Sequence, residues 1–349
     1  MRDDFGTTNS IDQMKPMQTN IRSCHSTRDI RRLVRMIWQL ERGVYSNIET
    51  FYGSISKYEG LFPLYACCTL IGAIGNADRG LFDRVYADLV SRTRQNLALL
   101  SLSQNAQTEN GMPDSRTEKD DFAFGVEAVL VWIRLLLRVD AESPSWVKGM
   151  DFSAIPPDWR LVAGFLKAQV YLRDGEPEMA YMIVKMLLEV CPRCPGGTVM
   201  RLYLMKACAE VCRDLGNADE SAYWFRQLAK HAGRRGFVHP YLGMPMGTRT
   251  PAEMSLAASA PELMKKIKRQ SVSYQKVLVR FHNHLTGEKI ANNLSPREFY
   301  IAQELKRKRP YKVIAEQMDI SPGRINILVR TIYEKLNVHS RKELVRVIW

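Results

Sequence analysis

The sequence has no run of alternating apolar and polar residues long enough to build a sheet, so an all-α chain is expected. It also lacks an apolar segment able to cross a bilayer. The most apolar stretch, Val126 to Val139, is interrupted by Arg134 and Arg138 and is too short. Met1 to Asn20 is polar, without the apolar core of a secretory signal. A cytoplasmic protein without membrane partners is expected. Acidic residues are scarce at one end. The chain has 50 Lys and Arg against 37 Asp and Glu, for a net charge of +13; from Glu262 to Trp349 the counts are 19 and 8. Nearly all the positive excess lies in the last quarter, which points to a polyanionic partner there.

Clusters that carry catalytic chemistry are missing too. Six histidines, at 25, 231, 239, 282, 284 and 339, have no companion nucleophile in a recognisable arrangement. There is no Gly-x-x-x-x-Gly-Lys-Ser/Thr phosphate loop. No enzymatic activity and no cofactor are expected. Seven cysteines, an odd count without an export signal, argue against a disulfide framework. Cys191, Cys194, Cys208 and Cys212 have spacing that a metal or redox site could use, since 208 and 212 lie one helical turn apart. The same positions suit small packing residues inside a helical core, and packing is the preferred reading. His282 and His284 read as a polar helix end rather than a metal site.

With 349 residues the chain exceeds what one core usually organises, so at least two domains are expected. Residues 1–27 are polar and are expected to be disordered. Residues 28–238 carry helical spacing: Ile30, Leu33, Val34, Ile37 and Trp38 share one face, and Gly43 can end that helix. Similar amphipathic stretches lie near 61–74, 78–100, 122–139, 158–174, 177–190, 198–215 and 219–232. Ser101 to Asp121 is polar and reads as an exposed excursion. Residues 239–293 read as a linker, rich in Pro, Gly, Met and Ala up to Pro261 and followed by a basic helix. Residues 294–349 read as four short helices. Ser295-Pro-Arg-Glu298 is a capping box with proline at the first helical position, Ser321-Pro322 repeats the cap, and Ser340-Arg-Lys-Glu343 is a second box. The brief connection between the second and third of these helices fits a helix-turn-helix.

Two resemblances follow from these patterns. "GFLKAQVYLRDGEPEMAYMIVKMLLEVCP" resembles a tetratricopeptide repeat, with Ala168, Tyr171, Gly175, Ala180 and Pro192 near the preferred positions. A second copy places Ala222 opposite Ala180, at a spacing longer than usual, and Gly-Asn-Ala-Asp recurs at 75–78 and 216–219. Stacked helix pairs would form a solenoid, or more plainly a bundle, serving as a sensor or docking region. The second resemblance is sharper. "LSPREFYIAQELKRKRPYKVIAEQMDISPGRINILVRTIYEKLNVHSRKEL" resembles the DNA-binding domain of LuxR/GerE-type regulators. Leu294, Pro296, Arg297, Glu298, Ile314, Ala315, Glu316, Ile320, Ser321, Lys335, Leu336, Val338, Ser340 and Arg341 match without a gap. Departures are Lys308, where the family usually has glycine, and Arg324, Asn326 and Leu328, where it has Thr, Lys and His. The scaffold is unaffected, but the preferred DNA sequence cannot be copied from relatives.

At about 100° per residue, Ile325, Leu328, Val329, Ile332 and Leu336 fall on one side of the third helix. Gly323, Asn326, Ile327, Arg330 and Glu334 fall on the other. Asn pairs with adenine, Arg with guanine, and an aliphatic group meets a thymine methyl. Asn326, Ile327 and Arg330 are therefore expected to read bases, and Lys312, Ser321, Arg324 and Thr331 to hold phosphates. The resemblance implies dimerisation on DNA through the last helix, at Leu344, Val345 and Ile348. Expected partners are double-stranded DNA, a second copy, RNA polymerase, and a peptide, protein or small-molecule effector of the helical region. No receiver-like strand–helix alternation and no acyl-homoserine-lactone-type sandwich pattern is present. The rival readings are a sigma-factor-like promoter-binding protein and a helical scaffold whose C-terminal domain does not bind DNA.

Overall fold

The computed structural model describes residues 27–49, 52, 61–106, 118–140, 142–149, 151–153, 155–191, 195–244, 250–290, 293–318 and 320–348. Among them are 14 α-helices and no strand. In chain order these are α1 (Thr27–Glu41), α2 (Phe62–Asn76), α3 (Arg79–Ala106), α4 (Glu118–Leu136), α5 (Arg160–Asp174), α6 (Pro177–Val190) and α7 (Pro195–Asp214). They continue with α8 (Ala218–Gly233), α9 (Pro251–Ser259), α10 (Pro261–Thr286), α11 (Pro296–Lys306), α12 (Tyr311–Gln317), α13 (Pro322–Leu336) and α14 (Arg341–Val347). No helix of the described residues is long and apolar enough to cross a membrane. Of the N-terminal segment expected to be disordered, residues 1–26 lie outside the described residues, and Thr27 opens α1. The polar excursion is shorter than expected, since α3 runs through Ala106 and α4 begins at Glu118; residues 107–117 lie outside the described set. The chain separates into two compact units. The first combines Met1–Ile133 with Glu142–Gly216, and the second Arg134–Ala141 with Asn217–Trp349.

In the first unit α2 is the buried helix. Its sequence, FPLYACCTLIGAIGN, contains no charge, and Phe62, Tyr65, Ala66, Leu70 and Ile74 are all buried. A helix apolar all round has no face to give to water and is stable only when covered. α5 and α6 form a hairpin closed by Gly175, whose φ of 85° places it in the left-handed region. The amide of Gly175 donates to Leu172 and that of Glu176 to Tyr171, satisfying the last carbonyls of α5. The two helices pack closely at Gly164, where an added Cβ would lie 2.9 Å from a Leu187 methyl. Ala168 and Ala180 are buried in this hairpin. The second repeat-like segment is divided, its first helix α7 closing this unit and its second, α8, opening the next. Cys208 and Cys212 are fully buried on α7, and Cys191 is buried at the end of α6; Cys194 lies outside the described residues.

Two acids of this apolar unit, Asp29 and Glu41, are buried among the described residues, and burial shifts the Glu41 carboxyl strongly. Glu41, at the end of α1, is 6% exposed. Tyr203 of α7 donates to its Oε1 at 3.0 Å, while its Oε2 has no partner. Burial pushes the Glu41 carboxyl up to about 8, and the Tyr203 hydroxyl offsets only part of that rise. Burial likewise pushes Cys67 up to about 12, with Glu41 adding to the effect.

In the second unit, the described part of the stretch expected to be a linker is folded, with residues 245–249 and 291–292 outside the described set. His239, Pro240 and Tyr241 form a buried 3-10 turn. α9, capped by the Thr250 hydroxyl on Glu253 N–H, packs against α8 and α10. The small residues that suggested a linker instead permit close helix approach. A Cβ added to Gly233, the last residue of α8, would meet the Ala260 methyl at 2.7 Å. α10 has 26 residues and buries Leu263, Ile267, Tyr274, Leu278 and Phe281. Its end is clipped to the following chain. Asn283 accepts from Ile290 N–H at 2.9 Å and donates to Ile290 C=O at 3.0 Å, and Asn293 donates to Lys335 C=O at 2.9 Å.

α11 ends in a residue that pays for its position. The amide of Lys308 donates to Leu305 and that of Arg309 to Glu304, the paired bonds that close a helix around a left-handed residue. That residue is Lys308, with φ at 60°, where the family it resembles has glycine. A left-handed L-residue costs roughly 1–2 kcal/mol, part of which glycine returns as chain entropy. Lys308→Gly is therefore expected to raise the stability of the second unit by about 0.5–1 kcal/mol. Chemical denaturation of parent and variant checks the sign.

Candidate nucleic-acid interface

α11 to α14 are built from local signals. Ser295 accepts from Glu298 N–H while Glu298 accepts from Ser295 N–H at 2.8 Å, the complete capping box expected. Ser321 caps α13 by accepting from Arg324 N–H at 3.3 Å, with Pro322 in the first turn. Ser340 caps α14 on Glu343 N–H, though Glu343 reaches back to the amide of His339 rather than that of Ser340.

α13 has two distinct sides. Ile325, Val329, Ile332 and Leu336 are buried, and Leu328, expected among them, is half-buried. Gly323, Arg324, Asn326, Ile327, Arg330 and Glu334 are exposed. Ile327 is 56% exposed, an aliphatic group in water with no packing role. Arg330 is 84% exposed and its Nε donates to Glu334 Oε1 at 2.9 Å. Exposed pairs one turn apart are worth only about 0.3–0.5 kcal/mol, so this guanidinium is released at little cost. Lys312 is exposed on α12 and Ser321 on the turn before α13. Thr331 differs: its hydroxyl donates to Ile327 C=O at 3.0 Å, leaving only acceptor capacity, which a phosphate cannot use.

The base of α13 is anchored to α11. Lys335 Nζ lies 2.8 Å from both carboxylate oxygens of Glu298. Burial alone would raise Glu298, but bonds from Lys335 and Ser295 together hold its carboxyl below the ordinary range.

The basic run after α11 is mostly spent internally. Lys306 donates to Ile348 C=O at 3.0 Å, and Arg307 and Arg309 flank the buried carboxylate of Glu304. The dimerisation expectation is corrected for two of three residues. Leu344 is fully buried and Ile348 is 1% exposed, so both serve this chain's own core. Arg341 fixes α14 in place by donating to the carbonyls of Leu305 and Arg309 at the end of α11. Only Val345, 40% exposed, remains available to a second copy.

Sequence reasoning missed two tyrosines. Tyr311 and Tyr333 line an open groove of about 640 Å³ that also includes Asn326, Arg330 and His339. Burial, and a hydrogen bond with Tyr311, raise the Tyr333 hydroxyl above its ordinary value. The available signal was their register: Tyr333 follows Arg330 by three positions, placing it beside the reading face.

Residues 292–348 match the family described as bacterial regulatory proteins, luxR family. These residues form a LuxR-family helix-turn-helix domain, and the protein is a DNA-binding transcription regulator. No curated protein and no solved structure matches the chain.

Proposed function

We propose that this LuxR-family domain reads duplex DNA by laying α13 in the major groove, with Asn326, Ile327 and Arg330 on base edges. The observation that carries this reading is the division of α13: a buried side seats it, while the opposite side exposes a carboxamide, a guanidinium and an unpacked isoleucine. Lys312, Arg324 and the hydroxyl of Ser321 would hold phosphates. Thr331 is the weakest member of that set because its proton is committed. Pairing of two copies on DNA falls to the exposed side of α14 around Val345. The helices upstream supply the regulatory input by binding an effector.

The test is selection of bound duplexes from a random pool with the full chain, followed by titration of variants on the selected site. Arg330→Ala is expected to cost roughly 1–3 kcal/mol and to relax one base preference. Lys312→Ala should weaken selected and unrelated duplexes alike, and lower the slope of log affinity against log salt by about 1. Parental affinity in both variants on the selected site would refute these assignments.

A further inference from the structure

Outside the helix-turn-helix, the densest charge in the second unit lies on α10. Its 26 residues carry Lys265, Lys266, Lys268, Arg269, Lys276 and Arg280 against one acid, Glu262. A merely solvated helix face usually alternates signs, because pairs one turn apart stabilise it. Here two like-charged pairs stand four residues apart, Lys265 with Arg269 and Lys276 with Arg280, an arrangement that weakens a helix. The two acids within reach are used at the N-terminal end: Glu262 holds Lys265 and Glu253 holds Lys268. Lys276 and Arg280 have no carboxylate partner among the described residues, Arg269 has only a through-space attraction to Glu262 and no ion pair, and all three are exposed. Spaced by seven and then four residues, they fall within about 40° of one another and extend over roughly 16 Å of helix.

The Asn283 clip ties the end of this helix to Ile290, two residues before the matched domain begins. Asn283 of α10 brackets Ile290, and Asn293 holds the last turn of α13 through Lys335 C=O. α10 and the reading domain also belong to the same compact unit. A duplex presents one charge per about 1.7 Å of its axis, the complement of an unneutralised line of cations.

We propose that Arg269, Lys276 and Arg280 form a phosphate-binding line that grips the duplex flanking the sequence read by α13. This rests on the reading given under Proposed function and adds to it a second contact, outside the LuxR-family domain, which lengthens the bound duplex.

The experiment compares the full-length parent with the triple variant Arg269→Gln, Lys276→Gln, Arg280→Gln on duplexes holding the selected site with short or long flanks. The parent is expected to gain affinity as the flanks lengthen, and the triple variant to gain none. On the long duplex the variant should bind about tenfold to a hundredfold more weakly. Its slope of log affinity against log salt should fall by about 2–3, near 0.9 for each phosphate released. Its base preference should stay that of the parent. Lys265→Gln, whose ammonium is already paired with Glu262, should leave the slope unchanged and controls for helix damage. A slope change below about 1, or flank dependence persisting in the triple variant, overturns the proposal. If Arg330→Ala weakens binding while the triple variant does not, only the α10 line falls. A parent that retains no duplex at low salt overturns the line and the DNA-reading assignment together.

Discussion

Glu41→Gln is expected to stabilise the first unit by about 4 kcal/mol at pH 8 and by only about 1 kcal/mol at pH 5. The folded carboxyl titrates at about 8, against 4.5 in the open chain. Between those values the unfolded chain releases a proton that the folded chain keeps. Stability is therefore full below pH 4.5 and is lost progressively as pH rises to 8, at about 1.4 kcal/mol per pH unit. Glutamine keeps the acceptor for Tyr203 and removes the ionisation, so the variant should lack this slope. Below pH 4.5 both side chains are neutral at the unpartnered Oε2 position, and the unmet amide donors of glutamine offset part of the gain equally at every pH. Four of the six tryptophans, Trp38, Trp132, Trp146 and Trp159, lie in the first unit, so its unfolding can be followed by their fluorescence in urea at several pH values. Parallel curves for parent and variant would show that Glu41 is ionised in the folded protein.

Lys335→Met is expected to destabilise the second unit by roughly 2–4 kcal/mol. Removing one member of a buried pair commonly costs about 3–5 kcal/mol, because the survivor is left uncompensated. The expected figure is lower because the ammonium is 41% exposed, although the carboxylate it holds is only 9% exposed. Losses of this size correspond to about ten degrees or more in a small domain. The pair also acts on pH dependence. Since the folded Glu298 carboxyl lies below its open-chain value, its contribution is present above about pH 4.5 and is lost as the solution is acidified through the folded value. The variant should show a shallower acid loss than the parent. It should also bind DNA more weakly without a change in base preference, since α13 would lose its anchor and keep its reading residues. Unfolding within a degree or two of the parent would show that the anchor carries no stability.

What the sequence revealed was what short-range chemistry decides. Ser295, Ser321 and Ser340 mark three helix starts because a hydroxyl caps only the turn that follows it. The two sides of α13 follow from the angle between successive residues, and Asn326, Ile327 and Arg330 fall on the exposed side accordingly. The rest depends on partners distant in the chain. Leu344 and Ile348 were expected at a contact between copies because the resemblance implies it; α14 instead packs on the end of α11, where Arg341 and Lys306 form bonds between the two. Residues 239–260 looked like a linker because close packing between α8 and α9 needs the same small residues as a flexible chain. Glu41 gave no signal, since its burial depends on Tyr203, 162 positions away.

The clip between Asn283 and Ile290 at the end of α10 bears on how this regulator can be rewired. A chimera joined at residue 292, where the family match begins, would discard both Asn283 and Ile290, and with them the two bonds that hold the chain leaving α10. A graft that starts at Pro261 would carry the whole of α10 with the reading domain and keep that clip intact.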